Sequence, residues 1–166
     1  MNILLNQKGY AVFKNKTYKT TFGSSGIRKK LSEGDNITPI GSYPLRRVFY
    51  RHDRIATPQT DLPLFKIKKT DGWCNDINAA NYNLLIKTPS LLSHERLWRK
   101  DNIYDIIVPI GYNDKLIIPN LGSAIFLHLA SHKFTSTQGC VGFKLKDILN
   151  IIKYCNEKSL IKISLS

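Results

Sequence analysis

Along this chain, apolar and polar positions fall into short alternating runs more often than into helical ones. Near the amino end, Asn2–Asn6 and residues 10–14 and 17–22 are short runs of apolar and β-favouring residues, which read as short strands. The polar turns Gln7-Lys8-Gly9 and Asn15-Lys16 separate them, giving an opening meander. A glycine- and charge-rich loop over residues 23–36 leads to Thr38-Pro39-Ile40-Gly41 and to a further strand pattern over residues 43–51. Pro39 fixes its own φ and holds Thr38 extended, while Gly41 permits a bend. The tetrapeptide therefore reads as a rigid turn before a strand.

Residues 56–92 have little periodicity and much Pro, Asp, Asn and Thr, yet they also carry Trp73, Tyr82 and several leucines. That combination predicts a long ordered loop rather than disorder. Ser93 is placed to cap a short helix over residues 95–98. Residues 103–112 are the most β-like run, with Pro109 pointing to an edge or a bulge, and Tyr112-Asn113-Asp114-Lys115 turns the chain back. Then Ala124, Phe126, His128 and Ala130 fall on one face of a strand, with Ile125, Leu127 and Leu129 on the other. Beyond a polar loop, Leu145, Ile148, Leu149, Ile152 and Cys155 recur at helical spacing over residues 144–155. Residues 160–165 supply a last strand. The expectation is a single domain, residues 1–166, mainly β with short helices, arranged as a mixed β-sandwich.

Composition narrows the function classes. Hydrophobic residues make up 42% and charged residues 22% of the chain, which suits an ordinary globular domain. No apolar run is long enough to span a bilayer, so no membrane insertion is expected. The amino-terminal patch is too short for a secretory signal and meets lysine too soon, so the chain is expected to be cytoplasmic or already processed. A net charge of +13 raises the question of nucleic acid. The basic residues are scattered, however, and no recognised nucleic-acid motif accompanies them. No nucleic-acid partner is expected; a basic surface would equally suit any substrate that carries several carboxylates. A monomer is expected.

The candidate chemistry lies between the predicted strand over residues 124–130 and the helix. Cys140 follows Gly139 at the end of a loop that begins beside His128. An imidazole can take a thiol proton, and glycine lets backbone N–H groups turn toward a substrate oxygen. Taken alone, the pair reads more readily as a core histidine and a structural cysteine. His128-x-x-x-His132 has metal-ligand spacing only on a helix, and the alternation here is that of a strand, so neither metal nor cofactor is expected. Cys74 and Cys155 complete an odd set of three with no C-x-x-C spacing. Cys155 reads as a small buried hydrophobe, and a Cys74–Cys155 bridge is conceivable in an oxidising compartment.

These residues resemble the L,D-transpeptidase (YkuD) catalytic domain. Its motif, a histidine followed by [Ser/Thr]-x-Gly-Cys-[Val/Ile], is matched by His128 and Thr137-Gln138-Gly139-Cys140-Val141, and its upstream Thr-Pro-x-Gly by Thr38-Pro39-Ile40-Gly41. DGWCNDINAANYN (residues 71–83), RLWRKDNIYDIIVPIGYN (residues 96–113) and GSAIFLH (residues 122–128) extend the likeness over nearly the whole chain. Gln138 stands where many members have histidine, and Gly142 where many have Arg or Asn.

The resemblance implies a cysteine enzyme acting on peptidoglycan stem peptides. Cys140 would form a thioester, His128 would be general base, and Leu129 or Ala130 would hold the His128 tautomer through a backbone carbonyl. Amides of Gly139 and Cys140, with Gln138, would form the oxyanion hole, and Thr137 would shape the loop. The Thr38 turn would line the groove, and the segment over residues 56–92 would cap it, with Trp73, Tyr82 and Asn83 as substrate-recognition candidates, the first two better suited by their burial habits to packing. The product would be 3→3 crosslinks. Hydrolysis, as an L,D-carboxypeptidase or amidase, is the alternative with the same chemistry, and a non-catalytic wall- or nucleic-acid-binding module is the alternative without it. The family places such a domain in the periplasm or at the cell wall.

Overall fold

The computed structural model describes residues 1–166. Its elements in chain order are β1 (Asn2–Asn6), β2 (Tyr10–Phe13), β3 (Lys16–Thr21), β4 (Ile27–Arg28), β5 (Thr38–Pro39), β6 (Gly41–Pro44), β7 (Val48–Tyr50) and β8 (Leu64–Lys66). They continue with β9 (Asp71–Cys74), β10 (Leu85–Lys87), β11 (His94–Arg96), β12 (Ile106–Pro109), β13 (Phe126–Leu129), β14 (Val141–Phe143), α1 (Leu145–Ile152) and β15 (Leu160–Ile163). The architecture is mainly β with one short helix, as the alternation implies.

The opening meander forms as expected. Phe13 pairs with Lys16, and the two residues between them, Lys14 and Asn15, both have left-handed φ, at 49° and 60°. That geometry suits the right-handed twist of the flanking strands. The meander joins one ten-stranded sheet of order β6-β15-β1-β2-β3-β14-β13-β12-β7-β8. The sheet mixes parallel pairs, β1 with β15 and β13 with β14, among antiparallel ones. It curls on itself, since Leu45 just after β6 bridges Ile110 just after β12.

Burial follows the two faces of the sheet. On one, Ile148, Ile151 and Ile152 of α1 pack with Ile3, Leu5, Leu127 and Phe143 in the main core. Each such side chain contributes roughly 1.5–3 kcal/mol on burial. α1 has no side-chain cap at Lys144, and a helix this short does not stand alone in water, so packing holds it. On the other face a smaller cluster gathers Phe49, Ile107, Tyr104, Phe126, Ala124 and Cys140. Strand β13 thus divides as its alternation requires, with Leu127 and Leu129 in the main core and Phe126 in the smaller one.

Several expected elements take a different form. The long strand over residues 43–51 is two strands: β6 pairs with β15, and β7 pairs with β12. Pro44 has no N–H to continue a ladder, and the chain changes partners just beyond it. The expected helix over residues 95–98 is strand instead, because β11 pairs antiparallel with β9. Ser93 gives its hydroxyl to Asn75 Oδ1 at 2.6 Å rather than capping a helix. The segment over residues 56–92 is not a loop but holds β8, β9 and β10, and the last two form a separate sheet with β11, of order β10-β9-β11. Pro109 ends β12, which lies inside the sheet between β13 and β7 rather than at its edge. Cys74, Cys140 and Cys155 are all free thiols, so the conceivable Cys74–Cys155 bridge is not formed.

Candidate active site

Parallel pairing of β13 and β14 sets His128 beside Gly142 and brings the end of the intervening loop, Gly139-Cys140, back beside β13. The loop is held from several sides. Thr137 donates its N–H to Phe22 O at 2.9 Å and its hydroxyl to Cys140 O at 2.6 Å, and its Oγ1 accepts the Gly139 N–H at 3.1 Å. Gly139 sits at φ +131°, and a Cβ there would come within 2.8 Å of Ile37 O. No side chain fits, which is why glycine precedes the cysteine.

Thr38 makes the same loop rigid from behind. Its hydroxyl donates to Gly139 O at 2.8 Å and accepts the Gly23 N–H, also at 2.8 Å. Thr38 is fully buried. The Thr-Pro-x-Gly tetrapeptide is therefore more than a turn, because its threonine ties β5 to the cysteine loop.

The Cys140 thiol donates to Ala124 O at 3.0 Å and accepts the Phe126 N–H at 3.4 Å. Burial pushes the thiol up to about 12, and the nearby Glu95 carboxyl adds to that. His128 is also buried, and burial holds it down at about 4 against the opposing pull of its Leu129 hydrogen bond. Both groups are therefore neutral near pH 7. His128 Nδ1 lies 2.8 Å from Leu129 O, and a carbonyl only accepts, so Nδ1 carries the proton and Nε2 is left as an acceptor.

His128 and Cys140 line one cavity of about 490 Å³ together with Thr137, Gln138, Glu95 and Tyr104. The Tyr104 ring lies against the His128 ring, centroids 5.5 Å apart, and its hydroxyl donates to Glu95. Burial raises the pKa of Glu95, with its Tyr104 hydrogen bond opposing. Arg96 and Arg99 add positive charge to the wall; Arg99 pairs with Asp101, and Arg96 has no acidic partner. The Gly139 N–H is committed to Thr137, whereas no protein acceptor engages the amides of Gln138 and Cys140.

Trp73 and Tyr82 do not reach the cavity. Trp73 packs edge-on against Phe126, centroids 5.0 Å apart, and donates to Asn83. Tyr82 is buried and gives its hydroxyl to Glu33, which itself lines the cavity. Asn83 is buried as well. Residues that line the cavity but carried no sequence signal are Glu95, Tyr104, Arg96, Arg99 and Glu33.

A family model for the L,D-transpeptidase catalytic domain (YkuD) matches residues 3–163. Among solved structures, the helical cell shape determining protein Pgp2 from Campylobacter jejuni is similar at 15% sequence identity, with a TM-score of 0.49. That alignment covers 98% of this chain and 46% of Pgp2, so the chain spans less than half of that protein. No sequence match was found among curated proteins.

Proposed function

The chain belongs to the L,D-transpeptidase catalytic domain family, a family of enzymes, and we propose that it transfers acyl groups between peptidoglycan stem peptides through Cys140. The observation that carries this reading is the shared cavity, where the thiol and a histidine with a free Nε2 face the same space. Cationic groups on the wall, Arg96 foremost, suit a substrate with several carboxylates.

In this reading His128 Nε2 takes the thiol proton as Sγ attacks the carbonyl at the L-centre of the diaminopimelate residue. Because both groups rest neutral, proton transfer accompanies attack rather than preceding it. The amides of Gln138 and Cys140 meet the developing oxyanion, while Gly139 shapes the loop through its φ. Collapse breaks the peptide bond, the terminal D-alanine leaves with the proton from His128, and a thioester remains on Cys140. The side-chain amine of a second stem then attacks the thioester, gives its proton to His128, and restores the thiol as a 3→3 crosslink forms. Such substrates lie in the cell wall, and the reading puts the protein's work there, on the periplasmic or wall side.

The test is mass spectrometry of purified disaccharide-tetrapeptide after incubation, beside Cys140→Ala. Crosslinked dimers lacking one D-alanine, absent with the variant, are the expected result. Tripeptide alone would redirect the reading to a carboxypeptidase. Unchanged substrate, with Cys140 also inert to a carbapenem, would refute it and favour a binding module.

A further inference from the structure

Asn83 sits at the turn between β9 and β10 with φ at 58°, buried and not itself part of the cavity wall. Every hydrogen-bonding site of its carboxamide is used. Oδ1 accepts the Trp73 Nε1–H at 2.9 Å and the Ala124 N–H at 3.0 Å. Nδ2 donates to Asn113 O at 2.8 Å and to Tyr112 O at 3.3 Å. A buried amide with no spare valence is there to hold something in place.

What it holds is Ala124. This alanine has φ at 54°, a left-handed conformation that a non-glycine residue adopts only when its surroundings impose it. The carbonyl of the same residue accepts the Cys140 S–H at 3.0 Å. A thiol is the only possible donor in that pair, so the resting proton lies toward Ala124 and the Sγ lone pairs are directed by it. Asn83 thus grips one side of the Ala124 Cα, and the nucleophile hangs from the other.

We infer that Asn83 is a positioning residue for Cys140, acting through the left-handed Ala124 backbone to fix where the thiol sits and to keep it protonated at rest. This rests on the reading of Cys140 as the nucleophile. It also gives the small β10-β9-β11 sheet a direct mechanical link to the reacting sulfur. The titratable groups facing the thiol are His128, Tyr104, Glu95 and Lys30, none of which bonds to Asn83.

The experiment is alkylation of the full chain by iodoacetamide across neutral to alkaline pH, resolved by cysteine with peptide mass spectrometry. Cys74 and Cys155, both fully buried, report on unfolding in the same sample. Asn83→Ala should alkylate at Cys140 about tenfold faster near neutral pH, because loss of one hydrogen bond to the neutral thiol shifts its titration down by about one pH unit. Cys74 and Cys155 should stay protected, and tetrapeptide turnover should fall by about tenfold or more as the sulfur loses its aim. Adding Ala124→Gly to Asn83→Ala should move the profile back toward the parent, since glycine adopts that φ without cost. A Cys140 profile unchanged by Asn83→Ala, or a shift that Ala124→Gly leaves in place, overturns the inference. If Asn83→Ala also opens Cys74, comparison with Cys155 decides: Cys140 accelerating beyond Cys155 supports the inference, and equal acceleration of the two, the mark of global opening, overturns it. Alkylation needs no substrate, so a parent protein without turnover would count against the proposed function and leave this test standing.

Discussion

Replacing Thr38 by valine isolates one hydroxyl at the junction between β5 and the cysteine loop. Valine nearly preserves the volume, so no cavity opens at this fully buried site. Two hydrogen bonds of 2.8 Å are lost, leaving the Gly23 N–H without an acceptor and the Gly139 carbonyl without a donor. Both glycines are buried. Each stranded group costs roughly 1–3 kcal/mol, so the substitution should destabilise the fold by about 3 kcal/mol. Against a total stability on the order of 5–15 kcal/mol, that is a large effect for one atom. Urea unfolding measures it, as a lower midpoint at unchanged slope. Thr38→Ser keeps the hydroxyl and gives up only a methyl, so its cost should be about 1 kcal/mol. The reasoning fails if valine costs less than about 1 kcal/mol, or if serine costs as much as valine.

Two further outcomes follow from the same loop and strand. Gly139→Ala should lose about 2 kcal/mol or more and abolish turnover, because the new Cβ meets Ile37 O at 2.8 Å and φ is +131°; a parent-like thermal midpoint would contradict this. Burial lowers His128 from 6.5 to about 4, so the unfolded chain takes up a proton there before the folded one does. Stability is then complete above pH 6.5 and falls by about 3 kcal/mol as pH drops through 4. Asp35, held down to about 2 from 3.8, loses its contribution only below that window. Urea midpoints from pH 7 to pH 4 should therefore decline in the parent and stay flatter in His128→Gln; equal slopes would remove His128 as the cause.

What could be read from the sequence is what local periodicity carries. The alternation of residues 124–130 assigned each side chain of β13 to its face, and the helical spacing found α1, because each pattern is written within a few residues. The Gly-Cys pair and His128 were visible for the same reason. Strand β11 was misread because Ser93 and Glu95 suit a helix start locally, whereas β9 offers the ladder that wins. Thr38 and Asn83 were singled out, but the bonds they make were not legible, for a related reason. Threonine before proline and asparagine in a polar stretch are ordinary turn residues, and nothing nearby in sequence says that their side chains reach elsewhere. Thr38 meets Gly139 across 101 positions, and Asn83 meets Ala124 across 41. Both are buried polar groups whose burial is tolerated only because each is fully paired, so each constrains its distant partner in place. The cysteine loop is thus fastened from β5 on one side and from the β9–β10 turn on the other. The two residues that look most like turn formers set the geometry of the thiol.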